Sequence, residues 1–414
     1  MTKPLDSYNF FDPQLIEDPF AFYQDAIQQS PVWQLPGTNI FLVTSYELVA
    51  KAADTPAVFS NRFGDLLTGR GVVDEEIKAV LAKGWPQTDT LLTADPPVHT
   101  RFRKLVNLAF SAPKVNAMED YVRSIATDLI NEIAPKGQCE FVHDFAVKLP
   151  VAVIAEVLGD SRTNTALFKR WSDAFADRLG GMASRERELE CAHEVVEFQH
   201  YFKKKIDERR ANPEIKDMTA DLVHARIEGE QPLTDAEILS ILQQLMVAGN
   251  ETTTNTMSGA LLLLIQNPGE LAKLEAEPKL IPNMVEEALR LESATSGMWR
   301  VVLQDTDLGG VTIPAKSMLH IRYAAANRDP VKYADPDAFV VDRQNARTHM
   351  AFGRGIHMCI GNMLSRKELT LAFQELLGRL TNFALVPGAN DFTHISNLML
   401  RGLKHLHVSY SVRG

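Results

Sequence analysis

The chain has 414 residues, of which 45% are hydrophobic and 23% charged, the proportions of a globular protein with enough apolar material for one large core or a few domains. Its 43 Lys and Arg against 53 Asp and Glu leave a formal net charge of −10, which argues against bulk nucleic-acid binding. With 23 Gly and 21 Pro it is neither collagen-like nor low-complexity, and three widely spaced cysteines, Cys139, Cys191 and Cys359, suit a reducing cytoplasm better than a disulfide framework or a paired-cysteine zinc site.

The first twenty residues carry Pro4, Asp6, Asp12 and Pro13 and lack the basic start and apolar run of a signal peptide. The longest apolar stretch, residues 260–265, is far below the ~20 residues of a membrane span, so a soluble, unanchored protein is expected. In chain order, residues 40–44 read as a strand after the turn residues Pro36 and Gly37, and residues 46–53 as a helix. Residues 60–93 read as irregular, and a loop of that length is usually functional. Residues 97–223 are mostly helical in period. Pro97 suits a first helical turn with Asp95 near the N-cap, and helices are expected over 118–133, 150–158, 167–178 and 185–210. A long helix runs from Asp235 to about Ile265, opened by a capping box of Thr234 and Glu237 and closed at Asn267-Pro268. Residues 283–291 form another helix. Short strands follow at 300–303, 312–314 and 318–321, then a helix from Cys359 to about Leu380, then β alternation over 383–386 and 406–412. The expected fold is mainly α with a minor β region. The β-rich part comes from about 31–60, 298–325 and 382–414, the helical part from about 97–293 and 359–380, all in one interlocked domain over 1–414.

The most informative stretch is residues 352–361, Phe-Gly-Arg-Gly-Ile-His-Met-Cys-Ile-Gly. Two glycines in a short loop let backbone N–H groups turn toward one point. Cys359 at a helix start would gain thiolate stabilisation from the helix dipole, and N–H donors would tune its electron donation. Gly361 removes bulk where a flat ligand could approach. The arrangement suits a metal held by one thiolate; a buried free cysteine is the plain alternative, and Cys139 and Cys191 fit it. The full pattern Phe-Gly-x-Gly-x-His-x-Cys-x-Gly resembles the haem-ligand loop of the cytochrome P450 family, soluble bacterial type. That resemblance implies Cys359 as axial ligand to the iron of haem b, with the haem between a long distal helix and a proximal cysteine-loop helix.

Other segments resemble the same family. Glu287 and Arg290, three apart, share a helix face, and Asp342-Arg343 lies further on. The resemblance implies a structural triad of Glu287, Arg290 and Arg343. Residues 248–253, Ala-Gly-Asn-Glu-Thr-Thr, fall mid-way along the long helix, where glycine and polar β-branched residues are poor helix choices. A polar helix face is the bland explanation; a site where local propensity yields to function is the other. Ala248 and Gly249 would open a groove. By resemblance, Glu251 and Thr252 form an acid–alcohol pair that delivers protons to bound dioxygen. His99 and Arg103, four apart, point the same way. With Arg300 and His357 they match the family's haem-propionate contacts, and Phe352, Gly353, Gly361, Ala248 and Gly249 complete the expected cofactor surface. Residues 327–330, Asn-Arg-Asp-Pro, are another family segment. Asn362 and Ser365 stand where the family often has alanine and are expected to alter packing only.

The substrate pocket carried over by position comprises Phe63, Leu66, Leu67, Phe175, Leu179, Gln244, Val247, Ala248, Met298, Leu398 and Met399. Most are apolar, which implies a hydrophobic substrate, with Gln244 offering one hydrogen bond. Trp299 reads as core. Electrons are expected from outside the chain, because the sequence shows no flavin or iron–sulfur motif. Arg101, Lys104, Arg354, Arg366 and Lys367 would form a basic patch for an acidic ferredoxin or flavodoxin. The reading is a monomeric, cytoplasmic haem-thiolate monooxygenase. It inserts one atom of O2 into a hydrophobic small molecule, most simply by hydroxylation, using ferredoxin and its reductase and needing no nucleic acid or membrane. A peroxide-using peroxygenase and a non-catalytic haem-containing ligand-binding protein are the alternatives; neither needs a proton relay.

Overall fold

The computed structural model describes residues 3–64, 74–108, 110–180 and 183–414. The chain groups into two compact units, each assembled from separate stretches. The first comprises Met1–Ser60, Val122–Val147 and Thr252–Gly414, and the second Asn61–Tyr121 and Lys148–Glu251.

The first unit holds every strand among the described residues. These are β1 (Val32–Gln34), β2 (Ile40–Val43), β3 (Phe59–Ser60), β4 (Gln138–Glu140), β5 (Met298–Val302), β6 (Thr306–Leu308), β7 (Val311–Ile313), β8 (Met318–Ile321), β9 (Leu380–Leu385) and β10 (His407–Val412). The larger sheet runs β1-β2-β8-β5-β3, with β2 and β8 parallel and the other pairs antiparallel. Phe41, Val43, Val302, Leu319 and Ile321 bury one face with Val49 and Ala52 of the helix Tyr46–Ala53. That burial holds β5 in place and sets Arg300 opposite Leu319. The tail strands β9 and β10 do pair, but β4 joins them on the other side of β10 in a second sheet. Three residues are too few to show alternation, so β4 was hidden inside an apparently helical stretch.

In the same unit, Glu287 on the helix Ile281–Glu292 accepts from Arg290 through both carboxylate oxygens at 2.8 Å and from Arg343 Nε at 2.8 Å. Arg290 Nη1 also donates to the carbonyls of Asn327 and Pro336. Glu287 and Arg290 are fully buried, so the cluster ties the irregular segment 327–343 to the helix by groups that have no water to fall back on.

The second unit is helical among its described residues. The stretch expected to be irregular contains the helix Glu75–Leu81, capped by Asp74, whose Oδ1 accepts from the N–H groups of Glu76 and Ile77. Ile77 and Val80 pack on Ala192. Beyond that helix, Gln199 clasps both backbone groups of Trp85. The helix Val98–Asn107 begins one residue after Pro97, and Asp95 accepts from the Asn61 N–H. Trp171 of the helix Thr165–Gly180 meets Phe198 of the helix Arg185–Ala211 edge-on at 5.6 Å.

The long helix Asp235–Gln266 starts in the second unit and continues into the first from Thr252. Its capping box is formed: Thr234 N–H donates to Glu237 Oε2 at 2.8 Å and Glu237 N–H to Thr234 Oγ1 at 3.3 Å. At ~1.5 Å per residue it is roughly 48 Å long. Asn267 ends it, but Pro268 opens a further helix, Pro268–Ala276, which the sequence reading left out. No helix among the described residues is long and apolar enough to cross a membrane.

Candidate active site

The cysteine loop is built by turns that only glycine adopts easily. Gly353 has φ +66° and Gly355 φ +71°, and a Cβ at Gly355 would lie 2.7 Å from the Ala53 carbonyl oxygen. The loop closes when Cys359 N–H donates to the Phe352 carbonyl at 2.8 Å. Cys359 itself precedes the helix Asn362–Arg379, whose N-cap is Gly361. The expectation of a cysteine at the helix start is therefore corrected: its sulfur belongs to the turn ahead of the helix, because Met358 and Gly361 are not helical. Gly361 leaves the space beside the sulfur open, with Cys359 Sγ 3.9 Å from where its Cβ would be.

A polar chain absent from the sequence reading fixes this loop. Asn362 Nδ2 donates to the Cys359 carbonyl at 2.7 Å, and Arg366 Nη1 donates to Asn362 Oδ1 at 2.8 Å. The Arg366 guanidinium lies 4.4 Å from the Phe352 ring centre and its Nε donates to Glu286 at 2.7 Å. His349 accepts the Ala351 N–H at Nδ1, so its Nε2 carries the proton given to Glu286 at 3.0 Å. Burial works to raise the Glu286 carboxyl, but the hydrogen bonds from His349 and Arg366 hold it down at about 2. Burial keeps His349 below its usual range, so at neutral pH Arg366 supplies the positive charge. Asn362, expected to affect packing only, is thus bonded to the cysteine's own peptide. Ser365 is within 3.3 Å of Thr253 Oγ1.

On the long helix, Gln244, Val247, Ala248 and Thr252 keep accessible surface, while Leu245, Met246, Asn250 and Glu251 are buried. Gln244, Val247, Ala248 and Thr252 recur at helical spacing and form one stripe, while Gln243 and Gly249 keep accessible surface off it. Thr253 and Thr254 are buried, and Thr254 donates to the Ala146 carbonyl, so the threonine run is not one uniform polar face. Gly249 does not belong to the stripe. A Cβ there would lie 3.0 Å from Ile154 Cδ1, so its missing side chain admits the helix Lys148–Val157 rather than opening the expected groove. Glu251 Oε1 accepts from Ser172 Oγ at 3.3 Å and from Asn250 Nδ2 at 3.1 Å, and Lys169 Nζ lies 3.5 Å away. Burial pushes the Glu251 carboxyl above its ordinary range against the pull of the Lys169 ammonium. Burial also acts to lower Lys169, but Glu251 and Asp173 more than offset it and keep it charged.

Arg300 is 2% exposed and donates Nη1 to the Trp299 carbonyl at 2.7 Å. No carboxylate among the described residues pairs with it. A buried guanidinium without a counter-ion costs several kcal/mol, so this position calls for an anion from outside the chain. In the second unit His99 is buried, and burial together with the nearby Arg103 charge holds its imidazole low, as expected of two groups on one helix face.

The sequence pattern of the Cytochrome P450 family matches residues 23–398. The chain is a cytochrome P450. It is 33% identical over 399 residues to 6-deoxyerythronolide B hydroxylase of Saccharopolyspora erythraea, covering 94% of this chain and 96% of that protein. It is 31% identical over 343 residues to Steroid C26-monooxygenase of Mycobacterium tuberculosis, covering 83% and 87%. The solved structure of a cytochrome P450 from Chondromyces apiculatus is similar at a TM-score of 0.86 and 32% identity, with 98% of each chain covered. This P450 is accordingly a haem-thiolate monooxygenase of mainly α fold that uses haem b, dioxygen, a redox partner and a small-molecule substrate. The residues present fit that cofactor. Arg300 awaits an acid group such as a propionate, and Cys359 stands in a glycine-built turn with open space beside its sulfur.

The expected pocket residues divide. Val247, Ala248, Met298 and Leu398 retain accessible surface, whereas Phe63, Phe175 and Met399 are buried, Phe175 edge-on to Phe198 at 5.1 Å. Leu66 and Leu67 lie outside the described residues. Gln244, expected to offer a substrate one hydrogen bond, also bonds within its own unit. Its Oε1 accepts from Leu92 N–H and its Nε2 donates to Thr90 Oγ1, so the amide pins the 88–93 loop. The basic patch is corrected. Arg101 binds Glu237, Arg354 binds Asp54 and Arg366 binds Glu286, so three of its five cations are neutralised locally.

Proposed function

We propose that this P450 hydroxylates a hydrophobic small organic molecule. Cys359 ligates the haem iron, His99, Arg103, Arg300 and His357 hold the propionates, and Glu251 with Thr252 delivers protons. Glu287, Arg290 and Arg343 lock the fold beneath. The haem, when bound, supplies dioxygen activation and oxygen insertion with two electrons and two protons. The observation that carries the reading is Glu251: a buried carboxyl raised above its ordinary range, adjacent in sequence to the half-buried Thr252 at the end of the accessible stripe. A carboxyl tuned upward exchanges protons closer to neutral pH than an exposed one. Direct use of peroxide would need no such pair.

The accessible apolar side chains of Val247 and Ala248 on the long helix favour a substrate bound by apolar contact. A relative named for a steroid supports the same class. We assign the electron donor to a ferredoxin or flavodoxin. Ile356, Met358 and Met363, exposed beside the cysteine loop, give such a partner an apolar centre, and the local neutralisation of Arg354 and Arg366 makes charge steering weaker than the sequence suggests. The single family match across 23–398 supports reading the chain as one P450 domain, taken here as a monomer, and the buried free thiols Cys139 and Cys191 suit a cytoplasmic setting.

Substrates are found first by screening apolar compounds for the low-spin to high-spin Soret shift. With a ferredoxin and its reductase, Thr252→Ala should keep consuming NADH while peroxide replaces much of the product. Glu251→Gln should slow turnover by roughly 100-fold. Unchanged coupling and rate in both variants would remove the pair from the reaction.

A further inference from the structure

Strands β4 and β10 pair with His407 opposite Glu140 and Val408 opposite Cys139. Alternation along the strands places His407 on the Glu140 face and Cys139 and Val408 on the buried face, and His405 lies two residues ahead of β10, before the buried Leu406. The π-helical turn Val142–Ala146 then brings His143 to the same side, its ring centre 5.4 Å from that of His405. One ligand atom from each of Glu140, His143 and His405 lies within 4.8 Å of the others. The Glu140 carboxylate is fixed from behind: Oε1 accepts from the N–H groups of Leu406 at 2.6 Å and Val142 at 3.3 Å, and Oε2 from that of His143 at 2.8 Å. Such bonds orient a ligating carboxylate. Glu140 Oε2 is 4.0 Å from His143 Nε2.

We infer that Glu140, His143 and His405 form a surface site for a divalent transition-metal cation of the Zn2+ class. Two imidazoles and a carboxylate are a zinc donor set, and hard cations such as Mg2+ would prefer oxygen alone. Tetrahedral ligands with bonds of about 2.1 Å stand about 3.4 Å apart, which the two exposed imidazoles reach by side-chain rotation while the anchored carboxylate stays still. The cation would staple the turn after β4 to the segment entering β10, leaving a coordination position for water. His407, stacked on His405 at 6.3 Å, adds bulk beside the site but no required ligand. The site lies wholly within the first unit and does not depend on the substrate reading.

The test uses the full haem-loaded chain without a histidine tag, stripped with chelator, desalted and titrated with ZnCl2 in a calorimeter. One equivalent should bind with micromolar affinity and raise Tm progressively with free Zn2+, without altering the Soret band. His143→Gln and His405→Gln should each weaken binding about 10- to 100-fold, and the exposed His193→Gln should leave it unchanged. The metal-free Tm of each variant reports folding. Binding no tighter than millimolar, or equal binding by His405→Gln, would overturn the inference.

Discussion

Glu286 and Glu251 are both buried glutamates on helices, yet their carboxyls move in opposite directions. Glu286 meets Arg366 and His349 at hydrogen-bond distance and falls to about 2. Glu251 has neutral donors in Ser172 and Asn250, with the Lys169 ammonium further off at 3.5 Å, and burial wins. The residue type is the same; the completeness of its pairing differs. A fully paired carboxylate fixes structure beside the cysteine loop, whereas an under-paired one is shifted upward, toward the range in which a carboxyl exchanges protons near neutral pH.

The contrast is broken most severely at the extreme of the paired kind. Glu287→Ala leaves Arg290 and the largely buried Arg343 without their anion and should cost roughly 3–5 kcal/mol, seen as a fall in Tm and in haem retention. A change within experimental error would mean the cluster is not an ion triad. Glu286→Gln should cost less, about 3 kcal/mol at neutral pH, since a drop from the ordinary 4.5 to about 2 corresponds to that much. The sign follows from the lowered value: the stabilisation is complete above pH 4.5 and is lost as pH falls toward 2. Urea unfolding followed by circular dichroism should therefore show wild type and variant converging between pH 5 and 3. A constant gap across that window would show Glu286 to be unpaired.

The parts legible in the sequence were those encoded locally. The Thr234–Glu237 capping box, the long helical periods and the spacing of Glu287 and Arg290 all act within one or two turns. The parts that were not legible depend on partners far along the chain. Glu286 differs from its neighbour Glu287 only through His349 and Arg366, 63 and 80 positions away. Arg354 loses its standing as a free cation to Asp54, 300 positions earlier, and Arg101 to Glu237, 136 later. Gly249 reads from the sequence as part of a groove because Ile154, whose Cδ1 lies 3.0 Å from where a Cβ would be, is 95 positions earlier. The helix at Glu75 had a readable cap in Asp74, but the glycines and the proline around it pointed to loop.

The proposed role of Cys359 as the ligand of the haem iron is open to a direct spectroscopic test. The reduced carbon-monoxide spectrum of the haem-loaded chain should show the red-shifted band of thiolate ligation, retained in Cys139→Ser and Cys191→Ser and lost in Cys359→Ser. Survival of that band in Cys359→Ser would contradict it.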